Sequence, residues 1–404
     1  MKKFLNPKPL TISLLVLMSV LLFFRHLQDL NFNSVIPLDA SPLPGDFKVY
    51  MRAVERLKLG INPYVVTDES PYKYSPGALI PFLILPTSPA LAWVVFKFFS
   101  VFSWLVALSL GAPVRTWKHL GLLLIGISLS WKGLIETLDY GQLEFWILSI
   151  GVLAHSLFRT QRGFSGFLLG CLPCIKPQWG LLIFPFLFIG IQDDRKRLKH
   201  FLLGYALGGS LLGVLLPGLV YGLTQLPELF QSWLYVLKAQ PEALFLGDHN
   251  QSLLGTLSRW KSEWPTGTLI GSGLTLCWLM WVIKASVQLN STLYRRNAIV
   301  FITPWLILTQ LMSPLGWRWG SLLLIGAPFL WKHPSKTRSS FIFWALALGI
   351  FASFLIQQAP IARMIGFENW ADPHHYGSIT LFWMITLTLS VWEKQETRSV
   401  LHKI

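Results

Sequence analysis

Four short stretches place polar side chains where an otherwise oily chain has few: "GDFKVYMRAVERLKLGINPY" (45–64), "PYKYSPGALIPFLILP" (71–86), "CLPCIKPQWGLLIFPF" (171–186) and "GDHNQSLLGTLSRW" (247–260). Asp46 opens the first of these. A carboxylate there can cap the helix that follows by accepting backbone N–H bonds. It can equally take a proton from a substrate hydroxyl as a general base, and the two roles are compatible. Lys176 sits between Pro173 and Pro177, with an apolar run on each side. A lysine inside a bilayer costs about 3 kcal/mol on insertion scales unless it snorkels to the surface or meets an anion. A phosphate group is one such anion. Lys73, between Tyr72 and Tyr74, is placed either among interfacial anchors or on the rim of a cleft.

Further polar residues interrupt apolar surroundings in the same way. "ETLDYGQLEFW" supplies Glu136, Asp139, Gln142 and Glu144. Asp248, His249, Asn250, Gln251 and Arg259 follow in the 247–260 stretch, Arg318 in "LMSPLGWRWGS", and Arg363, Asp372, His374 and His375 in "ARMIGFENWADPHHYGS". His374 and His375 are adjacent and point in different directions on a helix or strand, which makes a poor metal pair. No Walker loop, dinucleotide glycine motif, serine triad or zinc motif occurs, so bound ATP or NAD is not expected. Cys171 and Cys174 form a C-x-x-C inside an apolar run; a redox motif of that kind belongs in a soluble βαβ setting.

The elements that must position these groups follow from composition. Of 404 residues 53% are hydrophobic and 13% charged, against about 25% charged in a soluble domain. An all-α polytopic membrane protein is the reading, organised as one domain over 1–404. Apolar runs long enough to cross a bilayer fall near 9–24, 89–111, 119–138, 142–158, 163–175, 177–191, 200–223, 266–286, 297–312, 318–331, 340–357 and 376–392. That predicts about 12 transmembrane helices. The basic start followed by an apolar run resembles a signal peptide, but the run leads into Phe-Phe-Arg-His with no small-residue cleavage site. It is read as a retained first span.

With the N-terminus in the cytoplasm, the short loops rich in Lys and Arg all fall on the cytoplasmic side, as the positive-inside rule requires. The net charge of +15 therefore reflects topology and calls for no nucleic-acid partner. Three longer segments, 25–75, 225–265 and 358–375, fall on the outer side together with most of the unusual polar residues, and long loops carry function. In 45–59 the apolar residues Phe47, Tyr50, Val54 and Leu57 recur at helical spacing opposite Lys48, Arg52, Glu55 and Arg56. Gly60 ends the helix, Asn62-Pro63-Tyr64 turns the chain, and the helix is expected to lie along the membrane surface. Residues 226–240 read as a second interfacial helix.

Taken in order, "GDFKVYMRAVERLKLGINPY", "YKYSPGALIPFLILP", "YGQLEFWIL", "GFLLGCLPCIKPQWGLLIFPF" and "DHNQSLLGTLSRW" resemble glycosyltransferase family 87. This is a family of GT-C, polyprenol-phosphate-mannose-dependent mannosyltransferase-like membrane proteins. The resemblance implies a GT-C-type helical bundle with amphipathic helices in its long outer loops. It implies hexose transfer from a polyprenyl-phosphate sugar to a glycolipid or glycan acceptor at the outer face of the cell membrane, without a cofactor or a metal. Asp46 matches the catalytic acid of the first outer loop. Lys176, with Arg318 and Arg363, is assigned to the donor phosphate. Tyr50, Asn62, Tyr64, Lys73, Tyr74, Gln142, His249, Asn250 and Gln251 are assigned to the substrate cleft. The chain departs from the pattern at Ser313-Pro314-Leu315-Gly316-Trp317-Arg318-Trp319, where many members carry two histidines. A transporter or flippase of lipid-linked or small polar substrates is the second reading. It would need polar residues reaching both faces and internal repeats, whereas the polarity here is biased to one side.

Overall fold

The run boundaries follow proline and glycine closely. A computed structural model of the chain describes residues 7–25, 43–65, 71–112, 114–193, 195–240, 242–247, 250–263, 265–294 and 298–313, together with a few positions beyond 313. Among the described residues the regular structure is entirely helical. The chain divides into two compact units, the first comprising 1–111 and 135–240 and the second 112–134 and 241–404.

In the first unit α1 (Pro7–Phe24) is followed by α2 (Gly45–Lys58), a 3₁₀ turn (Pro76–Leu79), α3 (Ile80–Leu83) and α4 (Pro89–Gly111). The end of α5 (Trp117–Tyr140) then leads to α6 (Glu144–Leu157) and α7 (Arg162–Ile175). A second 3₁₀ turn (Pro177–Leu182), α8 (Ile183–Asp193), α9 (Arg195–Ser210), α10 (Leu216–Tyr221) and α11 (Leu226–Lys238) complete it. The second unit holds the start of α5 with α12 (Glu242–Leu246), α13 (Leu253–Glu263), α14 (Pro265–Tyr294) and α15 (Ala298–Met312).

Among the described residues five helical segments are long and apolar enough to cross a membrane: Pro7–Phe24, Pro89–Gly111, Trp117–Tyr140, Leu198–Tyr221 and Pro265–Lys284. Glu144–Leu157, Arg162–Ile175, Pro177–Ile191 and Ala298–Met312 are apolar but shorter. Nine of the expected spans thus coincide with apolar helix, five of them at full crossing length, and the figure of 12 is not established. Of the last three, 340–357 lies outside the described residues, and 318–331 and 376–392 are described only in part.

The first unit is built as a succession of neighbours, α1 on α4, α4 on α6, α6 on α7 and α7 on α9. The α7–α9 pair is the most intimate because glycines line both sides of it. A methyl group added to Gly166 or Gly170 would run into the backbone carbonyl of Phe201 or Tyr205, and one added to Gly204 or Gly208 into that of Gly163 or Phe167. Small residues let two helix backbones approach closely, and in lipid such packing replaces the hydrophobic drive that water would supply. Cys171 and Cys174 lie along this seam, their thiols directed at the carbonyls of Gly208 and Gly209, as small packing residues do.

A charge buried inside a span has to be accounted for. Lys97, on α4, is only 2% exposed. Its Nζ donates to the backbone carbonyl oxygen of Arg25, just past the last turn of α1. A cation there satisfies an orphan carbonyl and complements the negative end of the helix dipole. Arg25 in turn holds Asp139 through Nε at 3.2 Å and Nη2 at 3.0 Å.

The helix α2 departs from expectation in what covers its apolar face. Phe47, Val49, Tyr50, Met51, Ala53 and Val54 are buried, against Trp93 and Phe96 of α4, Phe82 of α3, and Tyr72. Protein, not lipid, takes up this face. An amphipathic pattern reports that one side is apolar and is silent about the surface that meets it.

The α7–α9 seam yields a stability prediction. Gly170→Leu would drive a branched side chain into the Tyr205 carbonyl and cost at least about 2 kcal/mol, read as a lowered thermal midpoint in detergent. Gly209→Ala, whose methyl would meet the Gly170 carbonyl oxygen at an ordinary 3.5 Å, should leave the midpoint nearly unchanged.

Candidate active site

Asp46 stands in the first turn of α2, but it does not cap the helix. Pro44 occupies the cap position and no side chain caps the backbone. The carboxylate turns instead toward Gln142, whose Nε2 donates to Oδ2. No hydrogen bond reaches Oδ1 from the described residues, and the side chain remains partly exposed. The dual expectation of cap and base thus reduces to a carboxylate free of capping duty, because proline at the cap supplies no side-chain acceptor.

Gln142 reaches Asp46 because the chain turns sharply between α5 and α6. Gly141 has φ of +71°, a left-handed conformation that costs glycine little and other residues more. A β-carbon there would also press on the Phe47 side chain at 3.0 Å. The turn therefore sets Gln142 against α2 and, two residues on, starts α6 with Glu144. Both are buried, at 3% and 1% exposure.

Lys176 completes the arrangement. Pro173 lies within the last turn of α7, which runs to Ile175, and Pro177 forces the residue before it out of the α region, so Lys176 is extended with φ −137° and ψ 118°. The side chain is buried and donates to Glu144 Oε1 at 2.6 Å and to Gln142 Oε1 at 3.2 Å. Its ammonium also lies 5.5 Å from the centre of the Tyr74 ring, a cation–π distance. The anion that compensates this costly lysine is thus Glu144, which the sequence reading grouped with the polar interruptions but did not assign to the site. The available signal was an acid at the first position of an apolar helix, two residues after Gln142.

Two tyrosines extend the network. Tyr50 donates to the Tyr74 hydroxyl at 2.8 Å and Tyr74 donates to Gln142 Oε1 at 3.4 Å. Burial pushes the Tyr74 phenol to about 12 and that of Tyr50 well above its ordinary value, so both stay protonated donors. Lys73 is half-buried, and burial lowers its ammonium from the usual lysine range while the Asp46 charge acts in the opposite sense. Its Nζ has no hydrogen bond or ion pair among the described residues. For Asp46 itself burial dominates, raising the carboxyl from 3.8 to about 6; Lys176, Lys73 and the Gln142 hydrogen bond pull it down, and Glu144 pushes it up.

Other residues expected in the cleft are placed at its margin. Asn62 Oδ1 accepts from the Tyr64 N–H at 2.9 Å and Asn62 Nδ2 donates to Ser232 Oγ on α11 at 2.9 Å. The Tyr64 hydroxyl donates to the Tyr74 carbonyl at 2.9 Å. Both residues fasten the turn after α2 and the segment that carries Tyr74.

In the second unit Asn250, Gln251 and Ser252 are wholly buried. Ser252 Oγ accepts from the Gly255 N–H at 3.0 Å and starts α13 as its cap. Asn250 Oδ1 accepts the Gly316 N–H at 2.9 Å, while the Gln251 carbonyl accepts from Thr380 Oγ1 at 2.8 Å. Arg259, 2% exposed, donates to the carbonyls of Gly247 at 2.8 Å and Asn250 at 2.7 Å. These bonds tie the start of α13 to distant backbone. His249, Arg318 and Arg363, with Asp248, Asp372, His374 and His375, lie outside the described residues.

The carboxylate, amide and ammonium groups of the first unit form a buried polar cluster in which, among the described residues, Asp46 Oδ1 and Lys73 Nζ have no hydrogen-bond partner. Such a cluster can accept a proton and face an anion. No curated protein and no solved structure matches the chain. The family model for glycosyltransferase family 87 matches residues 72–314, a segment that contains Gln142, Glu144, Lys176, Asn250 and Gln251 and begins after Asp46. The match takes in more than half of the chain, and the protein therefore belongs to glycosyltransferase family 87.

Proposed function

We propose that the protein is an inverting hexosyltransferase of GT-C type that moves a mannose-like sugar from a polyprenyl-phosphate donor to a glycolipid or glycan acceptor on the outer face of the cell membrane. The observation that carries this reading is the Asp46 carboxylate, held through Oδ2 by Gln142 and open at Oδ1. Asp46 accepts the proton of an acceptor hydroxyl. The oxygen forms its bond to the anomeric carbon from the face opposite the donor phosphate. The bond from that carbon to the phosphate oxygen breaks, and its electron pair leaves with the polyprenyl phosphate. Atoms and charges balance without a cofactor or a metal.

Charge that develops on the leaving phosphate calls for a preorganised cation. Lys73, half-buried and without a hydrogen bond or ion pair among the described residues, is suited to an incoming anion. Arg318 and Arg363 are the further cations of this proposal. The long apolar helices suit a donor whose prenyl tail stays in the bilayer.

Purified protein supplied with a panel of radiolabelled polyprenyl-phosphate sugars and membrane glycolipid acceptors should transfer at least one hexose. Asp46→Asn should lower that transfer by about 10²–10⁴-fold, the usual contribution of a general base. Full activity in the variant would remove Asp46 from the role. The base must be unprotonated, and burial raises its pKa to about 6. Wild-type kcat/KM should therefore fall as the pH drops through about 6 and level off above about 7.

The same burial has a cost in stability. The folded state binds a proton more tightly than the unfolded chain, so stability declines as the pH rises from about 4 to about 6. Asp46→Asn removes a charge that is destabilising at pH 7. It should raise stability there by about 2 kcal/mol, after allowing for the partial exposure of the carboxylate. The gain should shrink on going to pH 4.5, followed by thermal unfolding in detergent.

A further inference from the structure

The orientation of one side-chain amide follows from its neighbours. Gln142 Oε1 is approached by two donors, Lys176 Nζ at 3.2 Å and the Tyr74 hydroxyl at 3.4 Å. An amide nitrogen in that position would meet an ammonium that has no acceptor to offer. The oxygen must therefore face Lys176 and the NH₂ group must face Asp46. Lys176 is held in turn by Glu144 at 2.6 Å, and Tyr74 receives the hydroxyl of Tyr50 at 2.8 Å.

We propose that Gln142 is a positioning residue for the base: Lys176, anchored by Glu144, locks the amide so that its N–H holds Asp46 Oδ2 and leaves Oδ1 as the proton-accepting oxygen. This rests on the reading of Asp46 as the base. It gives Lys176 a different task from the phosphate contact that the family resemblance assigns to it. Two of its three N–H groups are already used, by Glu144 and Gln142, and its charge is neutralised by a buried carboxylate. A donor phosphate would find one N–H left on an ammonium whose charge Glu144 already neutralises. Gln142 and Lys176 thus act through Asp46 and need not touch the sugar.

The groups that act electrostatically on Asp46 are Lys176, Lys73 and Glu144, and Gln142 adds its hydrogen bond. Removing the Gln142 N–H withdraws a bond that is stronger to the ionised carboxylate than to the neutral acid, so the carboxyl should hold its proton more tightly. Gln142→Met keeps the length of the side chain and deletes the donor. Gln142→Glu keeps its shape and sets a second carboxylate beside the first.

The test is direct titration of Asp46 in detergent-solubilised protein carrying ¹³C-labelled aspartate, the resonance being the one lost in Asp46→Asn. Wild type should titrate near about 6. Gln142→Met should titrate higher by about one unit and Gln142→Glu by more, in line with loss of a hydrogen bond and gain of a like charge. Glu144→Gln, which loosens Lys176 without removing it, should also move the midpoint. A merely structural Gln142 would alter thermal stability and leave the Asp46 midpoint where it is. Coincident titration curves for wild type and both Gln142 variants would overturn the inference, whatever the donor proves to be. Failure of every polyprenyl-phosphate sugar in the transfer assay, with the titration shifts present, would overturn the donor reading and leave Gln142 as the positioning residue of Asp46.

Discussion

The buried ion pair between Lys176 and Glu144 is the interaction on which the rest of the site depends. A lone ammonium or a lone carboxylate at these positions would carry a desolvation cost of several kcal/mol, and the pair is tolerable because its geometry is close and the ammonium has further partners. Lys176 Nζ has that support from Glu144 at 2.6 Å, from Gln142 at 3.2 Å and from the Tyr74 ring. The helix breaks around Pro173 and Pro177, the turn at Gly141 and the tyrosines next to α2 are the backbone devices that bring these partners together. Asp46 inherits its setting from them.

Two contrasting ways of handling a charge within apolar structure occur in the same unit. Lys97 donates to the last carbonyl of α1 and is stabilised by a backbone dipole. Lys176 is matched by a side-chain carboxylate and joined to a network. The first arrangement fastens α4 to the end of α1, and Arg25 carries it on to Asp139. The second couples groups on four segments, so a change in the charge of one member is felt by the others. Buried networks of this kind respond as units rather than as independent contacts.

Much of the fold was legible in the chain. The apolar runs near 9–24, 89–111 and 119–138 coincide with helices to within two residues because proline at 7 and 89 and the Gly-Ala-Pro and Tyr-Gly breaks mark their ends. Asp46 and Lys176 stood out by type and surroundings. Glu144 did not, because its partner is 32 residues away and no local pattern links the two. The capping role considered for Asp46 was excluded by Pro44, whose effect depends on where the helix starts, a boundary that periodicity leaves open by a residue or two. The surface helix expected at 45–58 is a helix, but its apolar face meets aromatic side chains of α3 and α4. Amphipathic spacing cannot distinguish that burial from contact with lipid.

The turn at Gly141 also bears on how this site can vary. Gln142 and Glu144 are two residues apart and reach their partners only because a single glycine takes a left-handed conformation against Phe47. Most connections between helices accept an inserted or deleted residue with little harm. Here one extra residue would rotate both side chains away from Lys176 and Asp46 together. The link between α5 and α6 is therefore constrained in chain length as well as in the identity of Gly141 and Gln142. Lineages that keep the chemistry should keep the length of this link together with its glycine and glutamine.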